Sequence, residues 1–189
     1  MNVARILYPV KVLGPGNRIG IWLVGCNRAC PGCSNPELWE QKPECEIPVP
    51  RIIELIHSIS DKHQVDGFTI SGGEPMLQAG ELLQLITNIS DISTDILVYS
   101  GFSIEELMGS ADPSVNSLLK CIAVLIDGEY IEELNDNSRL RGSSNQHIHI
   151  LMKQFESRYK DYIASSSNQI QNFMTTDGIV SVGIHHKSF

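Results

Sequence analysis

The chain of 189 residues is 42% hydrophobic and 19% charged, with a net charge of −8 at neutral pH. This composition indicates a globular protein of one domain and excludes a disordered or fibrous chain. The acidic balance argues against a nucleic-acid partner, because phosphate binding relies on clustered Lys and Arg. No apolar run approaches the about 18 residues of a membrane span, and residues 1–5 do not open a signal peptide. We therefore expect a cytoplasmic protein without a membrane segment.

Short apolar runs alternate with amphipathic stretches along the chain. Runs bounded by Gly, Pro and Asn predict strands, and apolar residues spaced three and four apart predict helices. The predicted strands are 3–13, 19–24, 68–70, 96–99 and 121–126, and the predicted helices are 35–40, 49–63, 82–89, one opening at Ser103, 113–120 and 152–163. Because strands and helices alternate, we expect a mainly parallel sheet. Cys121, at the start of the last of these strands, is expected in the core.

Residues 151–189 are expected to form an extension packed on a core of residues 1–150, within one domain overall. After the last predicted helix, two short apolar runs at 170–174 and 179–184 flank a turn containing Asp177-Gly178. An Asp-Gly pair between two such runs is typical of a β-hairpin. The sequence therefore predicts an α/β fold with a C-terminal helix and hairpin.

Three cysteines lie directly after the second predicted strand. Cys26, Cys30 and Cys33 are spaced so that a curled loop can turn all three sulfurs toward one point. Thiolates are soft ligands that hold zinc or an iron–sulfur cluster. A structural zinc site is normally closed by a fourth protein ligand, whereas three cysteines around a [4Fe–4S] cubane leave one iron open to chemistry. The pattern favours the open cluster.

A zinc site remains the alternative, with Cys45 or a histidine as the fourth ligand. Cys45 lies in a Pro-rich stretch beyond an intervening predicted helix, which disfavours it as a ligand and leaves its role unexplained. The pairs His147/His149 and His185/His186 suggest a metal, but neither pair comes with convincing further ligands. We interpret them as surface or packed histidines.

A glycine-rich loop follows the next predicted strand. Ser71-Gly72-Gly73-Glu74-Pro75 would be a plain turn by itself, but beside the cysteines it becomes a candidate binding loop. Two further loops, Ser100-Gly101 and Asp127-Gly128, follow the third and fourth strands of the parallel series. Chemistry in α/β sheets collects at the carboxyl ends of the strands. We therefore expect these loops and the cysteines to form one site.

Taken together, the cysteine spacing and the Gly-Gly-Glu-Pro loop resemble the radical S-adenosylmethionine (SAM) superfamily, and the likeness covers about residues 6–150. Further motifs resemble the branch that activates the anaerobic ribonucleotide reductase. They are Tyr8-Pro9-Val10, Gly14-Pro15-Gly16-Asn17-Arg18, Cys30-Pro31-Gly32-Cys33-Ser34-Asn35, Trp39, Tyr99-Ser100-Gly101-Phe102, Asp127-Gly128 and Arg141-Gly142-Ser143-Ser144-Asn145-Gln146. The last block narrows the resemblance to this branch. The fold it implies is a short, incomplete (β/α) barrel.

The resemblance also implies a chemistry. Cys26, Cys30 and Cys33 would hold three irons of a [4Fe–4S] cluster, and the fourth iron would take the amino and carboxylate groups of SAM. Reductive cleavage of SAM would give a 5′-deoxyadenosyl radical, which would abstract hydrogen from a glycine of the reductase. An electron donor such as flavodoxin or ferredoxin is implied, and the open side of a short barrel would suit a glycine loop carried by a protein.

Cofactor contacts follow from the same resemblance. Gly72 and Gly73 would let the backbone approach the methionine end of SAM. Glu74, or backbone carbonyls beside it, would receive the ammonium group. The remaining candidate contacts are Pro75, Ser100, Asp127, Arg141, Ser143 and Asn145. For the two strand-end residues a cap or turn role is an equal alternative, and the last three could instead bind the partner or satisfy their own loop.

The extension 151–189 leaves the substrate open, because compact proteins of this branch tend to stop near the last motif. One alternative is a radical SAM enzyme that modifies another protein or peptide. An alternative of another class is a structural module that binds zinc or an iron–sulfur cluster without turnover.

Overall fold

A six-stranded sheet forms the centre of the computed structural model, which describes residues 1–165, 169–176 and 178–185. The strands lie in the sheet in their order along the chain. They are β1 Val3–Val10, β2 Arg18–Leu23, β3 Gly67–Gly72, β4 Ile96–Tyr99, β5 Val124–Asp127 and β6 His147–Ile150. Strands β2 to β5 are parallel, whereas β1 and β6 pair antiparallel at the two edges. The four parallel strands therefore place their carboxyl ends along one edge.

Four helices cover one face of the sheet. They are α1 Val49–Ser60, α2 Ala79–Asn88, α3 Ile104–Met108 and α4 Pro113–Leu119. Buried Ile56 of α1 and Leu82 of α2 share a core with Ile70 of β3, as their helical spacing predicts. The predicted helix opening at Ser103 is confirmed as α3, which begins with a capping box: the Ser103 side chain accepts from the Glu106 N–H, and the Glu106 carboxylate accepts from the Ser103 N–H. Within the described residues no helix is long and apolar enough to cross a bilayer.

Several predicted elements differ from the structure. The segment predicted as helix 35–40 forms a shorter 3₁₀ turn, Pro36–Leu38. Strand β5 begins three residues later than predicted, because the Cys121 N–H closes the end of α4 by donating to the Leu118 carbonyl at 2.9 Å. Cys121 is partly buried against the core in the turn before β5. Strand β6 is not predicted from the sequence. The described sheet is open, because β1 and β6 each have one neighbouring strand.

The other face of the sheet carries a buried polar network that holds a fifth helix, α5 Glu156–Ala164. The fully buried guanidinium of Arg18 lies 3.2 Å from the Asp95 carboxylate. Asp95 also accepts a 2.6 Å hydrogen bond from the Tyr159 hydroxyl and lies 3.3 Å from Arg158. Buried charges require such partners, so this network fixes α5 against the sheet.

The predicted C-terminal hairpin is confirmed as strands β7 Gln171–Thr175 and β8 Gly178–Val182. Its Asp177 lies outside the described residues. Gln171 bridges the hairpin to the N-terminal strand region, because its side chain accepts from the Lys11 N–H at 2.9 Å and donates to the Pro9 carbonyl at 2.7 Å. Val182 is buried in an apolar cluster with Trp22. The hairpin therefore lies on the face of the sheet opposite α1 to α4.

Candidate active site

The cysteine loop begins where β2 ends and is held by its own backbone. The Cys26 N–H donates to the Trp39 carbonyl at 2.8 Å, and the Cys33 N–H donates to the Cys30 carbonyl at 3.1 Å. Gly32, with a φ of +73°, supplies the left-handed turn between the second and third cysteines. All three thiols are free and partly exposed. The sequence spacing thus produces a curled loop that presents three sulfur ligands.

One pocket at the carboxyl edge of the sheet collects most of the predicted site. It brings the cysteine loop together with the ends of β3, β4 and β5 and the loop after β5. Its lining residues are Cys26, Arg28, Cys30, Cys33, Trp39, Ser71, Gly72, Gly73, Glu74, Tyr99, Ser100, Gly101, Gly128, Tyr130 and Gln146. The structure therefore brings the three cysteines, the two glycines, Glu74 and Ser100 to one place.

The donor set fits a cluster better than a single ion. Ligand sulfurs around one zinc ion lie about 3.8 Å apart, because each Zn–S bond is about 2.3 Å long. In the described part of the chain, the three cysteine sulfurs do not form a set whose members all lie within 4.8 Å of one another. Burial raises the pKa of the Cys30 thiol, although a backbone hydrogen bond from Tyr130 partly opposes this. Three separated soft ligands are what a [4Fe–4S] cubane requires.

Gly72 and Gly73 are required by close packing between two stretches of backbone. A Cβ atom on Gly72 would lie 2.5 Å from the Leu23 nitrogen, and Gly72 has a φ of +103°. A Cβ atom on Gly73 would overlap the carbonyl oxygen of Gly25. Gly72 therefore allows the end of β3 to pack against the end of β2, and Gly73 allows the loop after β3 to lie against the start of the cysteine loop. Both glycines also line the pocket.

Glu74 is 1% exposed and joins the loops after β3 and β4. Its carboxylate accepts from the Met76 N–H at 2.9 Å, the Ser100 hydroxyl at 3.0 Å and the Gly101 N–H at 2.7 Å. Burial raises the pKa of Glu74, and these hydrogen bonds oppose that rise. Pro75, also buried, begins the short 3₁₀ turn that Glu74 caps. Glu74 thus fixes the relative position of two loops that line the pocket.

Asp127 is buried on the helix-covered face of the sheet. Alternation along β5 places it on the same side as Leu125, whose side chain packs with the core under α1 to α4. Its carboxylate accepts from the Ile104 N–H at 2.7 Å and from the His147 N–H at 3.2 Å. In the structure Asp127 therefore anchors the start of α3 and the start of β6.

The block 141–146 folds largely upon its own neighbourhood. Arg141 pairs with Asp136 at 2.6 Å, and the Ser143 hydroxyl accepts from the Ile131 N–H at 3.2 Å. The Asn145 side chain donates to the Glu129 carbonyl at 2.8 Å. Gln146, the last residue of the block, lines the pocket. Arg141, Ser143 and Asn145 shape the loop behind it.

Arg28 is a site residue that the sequence does not reveal. It lies in the cysteine loop, where its guanidinium contacts both oxygens of Glu106 at 2.9 Å and Glu129 at 2.9 Å. The guanidinium also lies 4.1 Å from the centre of the Phe102 ring. Arg28 therefore ties the cysteine loop to α3 and to the loop after β5, through partners that are remote in the sequence.

Three lining residues of the pocket carry buried polar atoms without a hydrogen-bond partner in the described chain. They are the Tyr99 hydroxyl, the indole nitrogen of Trp39 and Nε of Arg28. Burial raises the pKa of Tyr99 well above its usual value, so this hydroxyl stays protonated. Buried donors without partners are uncommon in folded proteins, and a bound polar ligand would satisfy them.

A cleft leads from the pocket to the C-terminal hairpin. It shares with the pocket the residues Cys33, Ser71, Gly72, Tyr99, Tyr130 and Gln146. Its opposite wall is formed by residues 181–185 at the end of the hairpin. His185 lies in this wall, and His186, the other member of the histidine pair named from the sequence, is outside the described residues.

Cys45, considered above as a fourth zinc ligand, packs against the apolar cluster around Trp22.

Comparison with known proteins agrees with the cysteine site. Residues 12–149 match the family described as a 4Fe-4S single cluster domain. This match includes the whole parallel sheet and the loops at its carboxyl edge. The fold and the site thus define a single-cluster iron–sulfur protein.

Similar proteins specify the family further. A protein of Escherichia coli K12 is 34% identical over 153 residues, covering 76% of this chain and 96% of the relative. A protein of Haemophilus influenzae is 34% identical over 149 residues, covering 75% and 94%, and one of bacteriophage T4 is 30% identical over 153 residues, covering 78% and 93%. All three are named anaerobic ribonucleoside-triphosphate reductase-activating protein. The chain belongs to this family of activating proteins, an activase branch of the radical SAM superfamily, as its motifs predict.

Proposed function

We propose that this chain is a radical SAM enzyme that generates a glycyl radical on an anaerobic ribonucleotide reductase. The observation that carries the proposal is the shared pocket of three cysteines and the Gly-Gly-Glu-Pro loop. It occurs in a chain whose relatives are named as activating proteins of that reductase. The reductase is accordingly the proposed protein partner.

Cys26, Cys30 and Cys33 would hold three irons of the [4Fe–4S] cluster. Their loop is fixed in place by the backbone bond to Trp39 and by the two ion pairs of Arg28. With both cofactors bound, the cluster would supply one electron for the cleavage of SAM into methionine and a 5′-deoxyadenosyl radical, and a donor such as flavodoxin or ferredoxin would replenish that electron. The protein's task is to hold this geometry and to exclude water.

The glycine loop would form the SAM side of the pocket. Gly72 and Gly73 leave the backbone accessible there, and Glu74 and Pro75 set the course of the loop. Each oxygen of Glu74 already accepts a hydrogen bond from the protein. We therefore assign the SAM ammonium group to the backbone carbonyls beside Glu74 and a positioning role to its carboxylate.

The other candidate contacts divide by position. Ser100 lines the pocket and would face the cofactor. Asp127 lies on the helix face, and Arg141, Ser143 and Asn145 bond within their own loop. We propose that these four residues act by shaping the strand end and the loop that carry Gly128, Tyr130 and Gln146 to the pocket.

The cleft beside the pocket would admit the glycine-bearing segment of the reductase. Residues 1–150 would form the radical SAM core, a short incomplete barrel, and residues 151–189 an extension packed on it. The described sheet leaves both edges open, and residues 181–185 of the extension line the cleft. A protein segment could therefore reach the pocket along the hairpin.

Replacement of Cys30 tests this function. Anaerobically reconstituted native chain should contain about four irons and, once reduced, should release 5′-deoxyadenosine from SAM. Cys30→Ala should lose both properties, and glycyl radical on an anaerobic reductase should be undetectable by electron paramagnetic resonance. The measurements are iron analysis, chromatography of the nucleoside and the radical spectrum.

Cys121→Ala is the matched control, because it removes a partly buried thiol in the turn between α4 and β5, at the end of β5 opposite to the pocket. It should retain iron and SAM cleavage. Zinc in place of iron in the native chain, or full turnover in Cys30→Ala, would refute the proposal.

A further inference from the structure

We propose that Asp127, His147 and His149 bind one divalent transition-metal ion of the zinc class, at a site separate from the cysteines. Pairing of β5 with β6 places Asp127 opposite His147 and Leu125 opposite His149. Residues two apart on a strand share a face, so both imidazoles lie on the side of the Asp127 carboxylate. The sequence alone offers two histidines, and the strand register supplies the third ligand.

The distances suit one ion. Oδ1 of Asp127 lies 3.6 Å from Nδ1 of His147, and Oδ2 lies 3.0 Å from Nε2 of His149. One donor atom from each residue can be chosen so that all three lie within 4.8 Å of one another. Ligand atoms about 2.0–2.2 Å from a tetrahedral zinc ion lie about 3.3–3.5 Å apart. A small movement of the exposed His147 side chain toward Asp127 would complete this geometry.

A simple hydrogen bond does not account for the short distance between the His149 ring and the Asp127 carboxylate. Its Nε2 is buried and has no hydrogen bond of acceptable geometry within the described chain, although it lies 3.0 Å from the Asp127 carboxylate. A close approach with poor hydrogen-bond direction is what two ligands of a shared ion show. The carboxylate itself is 2% exposed and is oriented by the N–H groups of Ile104 and His147. Such outer hydrogen bonds hold metal-binding carboxylates in place.

The chemistry of the set points to zinc, cobalt or nickel. The two imidazoles are borderline ligands that favour such ions and the carboxylate is a hard ligand that zinc also accepts, and three protein ligands leave a position for water. The His147 side chain is 74% exposed and gives an ion access from solvent. An ion here would join the ends of β5 and β6 to the start of α3, at the base of the loop that brings Tyr130 and Gln146 to the cysteine pocket.

Zinc binding to the cluster-loaded protein tests the site, because the cluster occupies the thiols of Cys26, Cys30 and Cys33. Equilibrium dialysis of chelator-treated protein against Zn²⁺ should give one zinc per chain. Zinc-edge X-ray absorption should show nitrogen and oxygen ligands at about 2.0–2.2 Å without sulfur at about 2.3 Å. His147→Ala and His149→Ala should each raise the zinc dissociation constant at least about tenfold.

His63→Ala is the matched control, since it removes an exposed histidine remote from this set and should leave zinc affinity within about twofold. His147 is so exposed that its replacement leaves the fold intact, which iron content and circular dichroism would verify. The proposal is overturned if the native chain binds no zinc, if sulfur ligates the zinc, or if His147→Ala binds zinc as tightly as His63→Ala.

Discussion

Glu74 shows how a single residue can organise the site without meeting an opposite charge directly. Its carboxylate is satisfied by two backbone N–H groups and one hydroxyl, all from loops that line the pocket. Burial nevertheless raises its pKa, because hydrogen bonds only partly replace the lost hydration. The folded chain therefore holds a proton on Glu74 more tightly than the unfolded chain does.

Glu74→Gln should consequently alter how stability depends on pH. Below the unfolded-state pKa of about 4.3, Glu74 is protonated in both the folded and the unfolded state, and its contribution to the free energy of unfolding is fully present. As pH rises through the raised pKa of the folded state, the native protein loses stability because it must ionise a buried carboxyl. The unfolding free energy of Glu74→Gln relative to native should rise across this window and then level off. Urea unfolding of SAM-free protein between about pH 4 and about pH 8 measures it.

Glu44→Gln provides the comparison, because Glu44 is exposed. The rise of relative stability with pH should be larger for Glu74→Gln than for Glu44→Gln. A relative stability of Glu74→Gln that falls with rising pH would show that the hydrogen bonds to the carboxylate outweigh its burial.

At the scale of elements, the junction of β2 and β3 carries the site. Parallel pairing continues beyond both strands, since the Gly73 N–H donates to the Leu23 carbonyl at 2.8 Å and the Glu74 N–H donates to the Gly25 carbonyl at 2.7 Å. The glycine loop and the cysteine loop are therefore prolongations of neighbouring strands. Their contact leaves no space for a side chain at Gly73.

Gly73→Ala should destabilise the chain by about 1–3 kcal/mol, because the new methyl group overlaps the Gly25 backbone and forces the two loops apart. The same displacement should accelerate loss of iron from the reconstituted protein. Urea unfolding of the cluster-free chain and the rate of cluster bleaching measure the two effects.

Gly80→Ala gives the opposite case within the same region of sequence. Gly80 lies inside helix α2, and a Cβ atom on it would lie 3.6 Å from the nearest atom, Oγ of Ser114. Stability should rise by up to about 1 kcal/mol, because alanine favours a helix over glycine. Equal effects of the two substitutions would contradict the proposed loop contact.

The helices, strands and ligand loops that could be predicted from the sequence are those with local patterns. The apolar period of α2 and the spacing of Cys26, Cys30 and Cys33 are local, so they predict an element and a candidate ligand loop. Strand β6 alternates histidine and isoleucine over only four residues, the shortest pattern that indicates a strand, and its pairing with β5 is set only by the fold. Arg28 also could not be predicted, because Glu106 and Glu129 approach it only in the folded chain.

In the whole molecule, the two faces of the sheet have different roles. The face under α1 to α4 is an apolar core, whereas the opposite face holds the buried Arg18–Asp95 pair and the cleft. The family match ends at residue 149, so α5 and the hairpin lie beyond it. Residues 181–185 nevertheless form one wall of the cleft that reaches Cys33. Under the proposed function, the part of the chain beyond the matched domain would influence which protein segment reaches the pocket.

Ser181→Trp tests this influence, because Ser181 lines the cleft and its hydroxyl bonds to Asn172 at 2.7 Å on the paired strand. An indole there should obstruct the cleft and lower kcat/KM for activation of the reductase at least about tenfold, or about 1.4 kcal/mol. Iron content should match the native chain. Ile179→Trp adds the same bulk at a side chain that is 68% exposed, and its kcat/KM should stay within about twofold. If both variants activate the reductase alike, the hairpin does not border the acceptor's route, and the cysteine chemistry must be judged by Cys30→Ala alone.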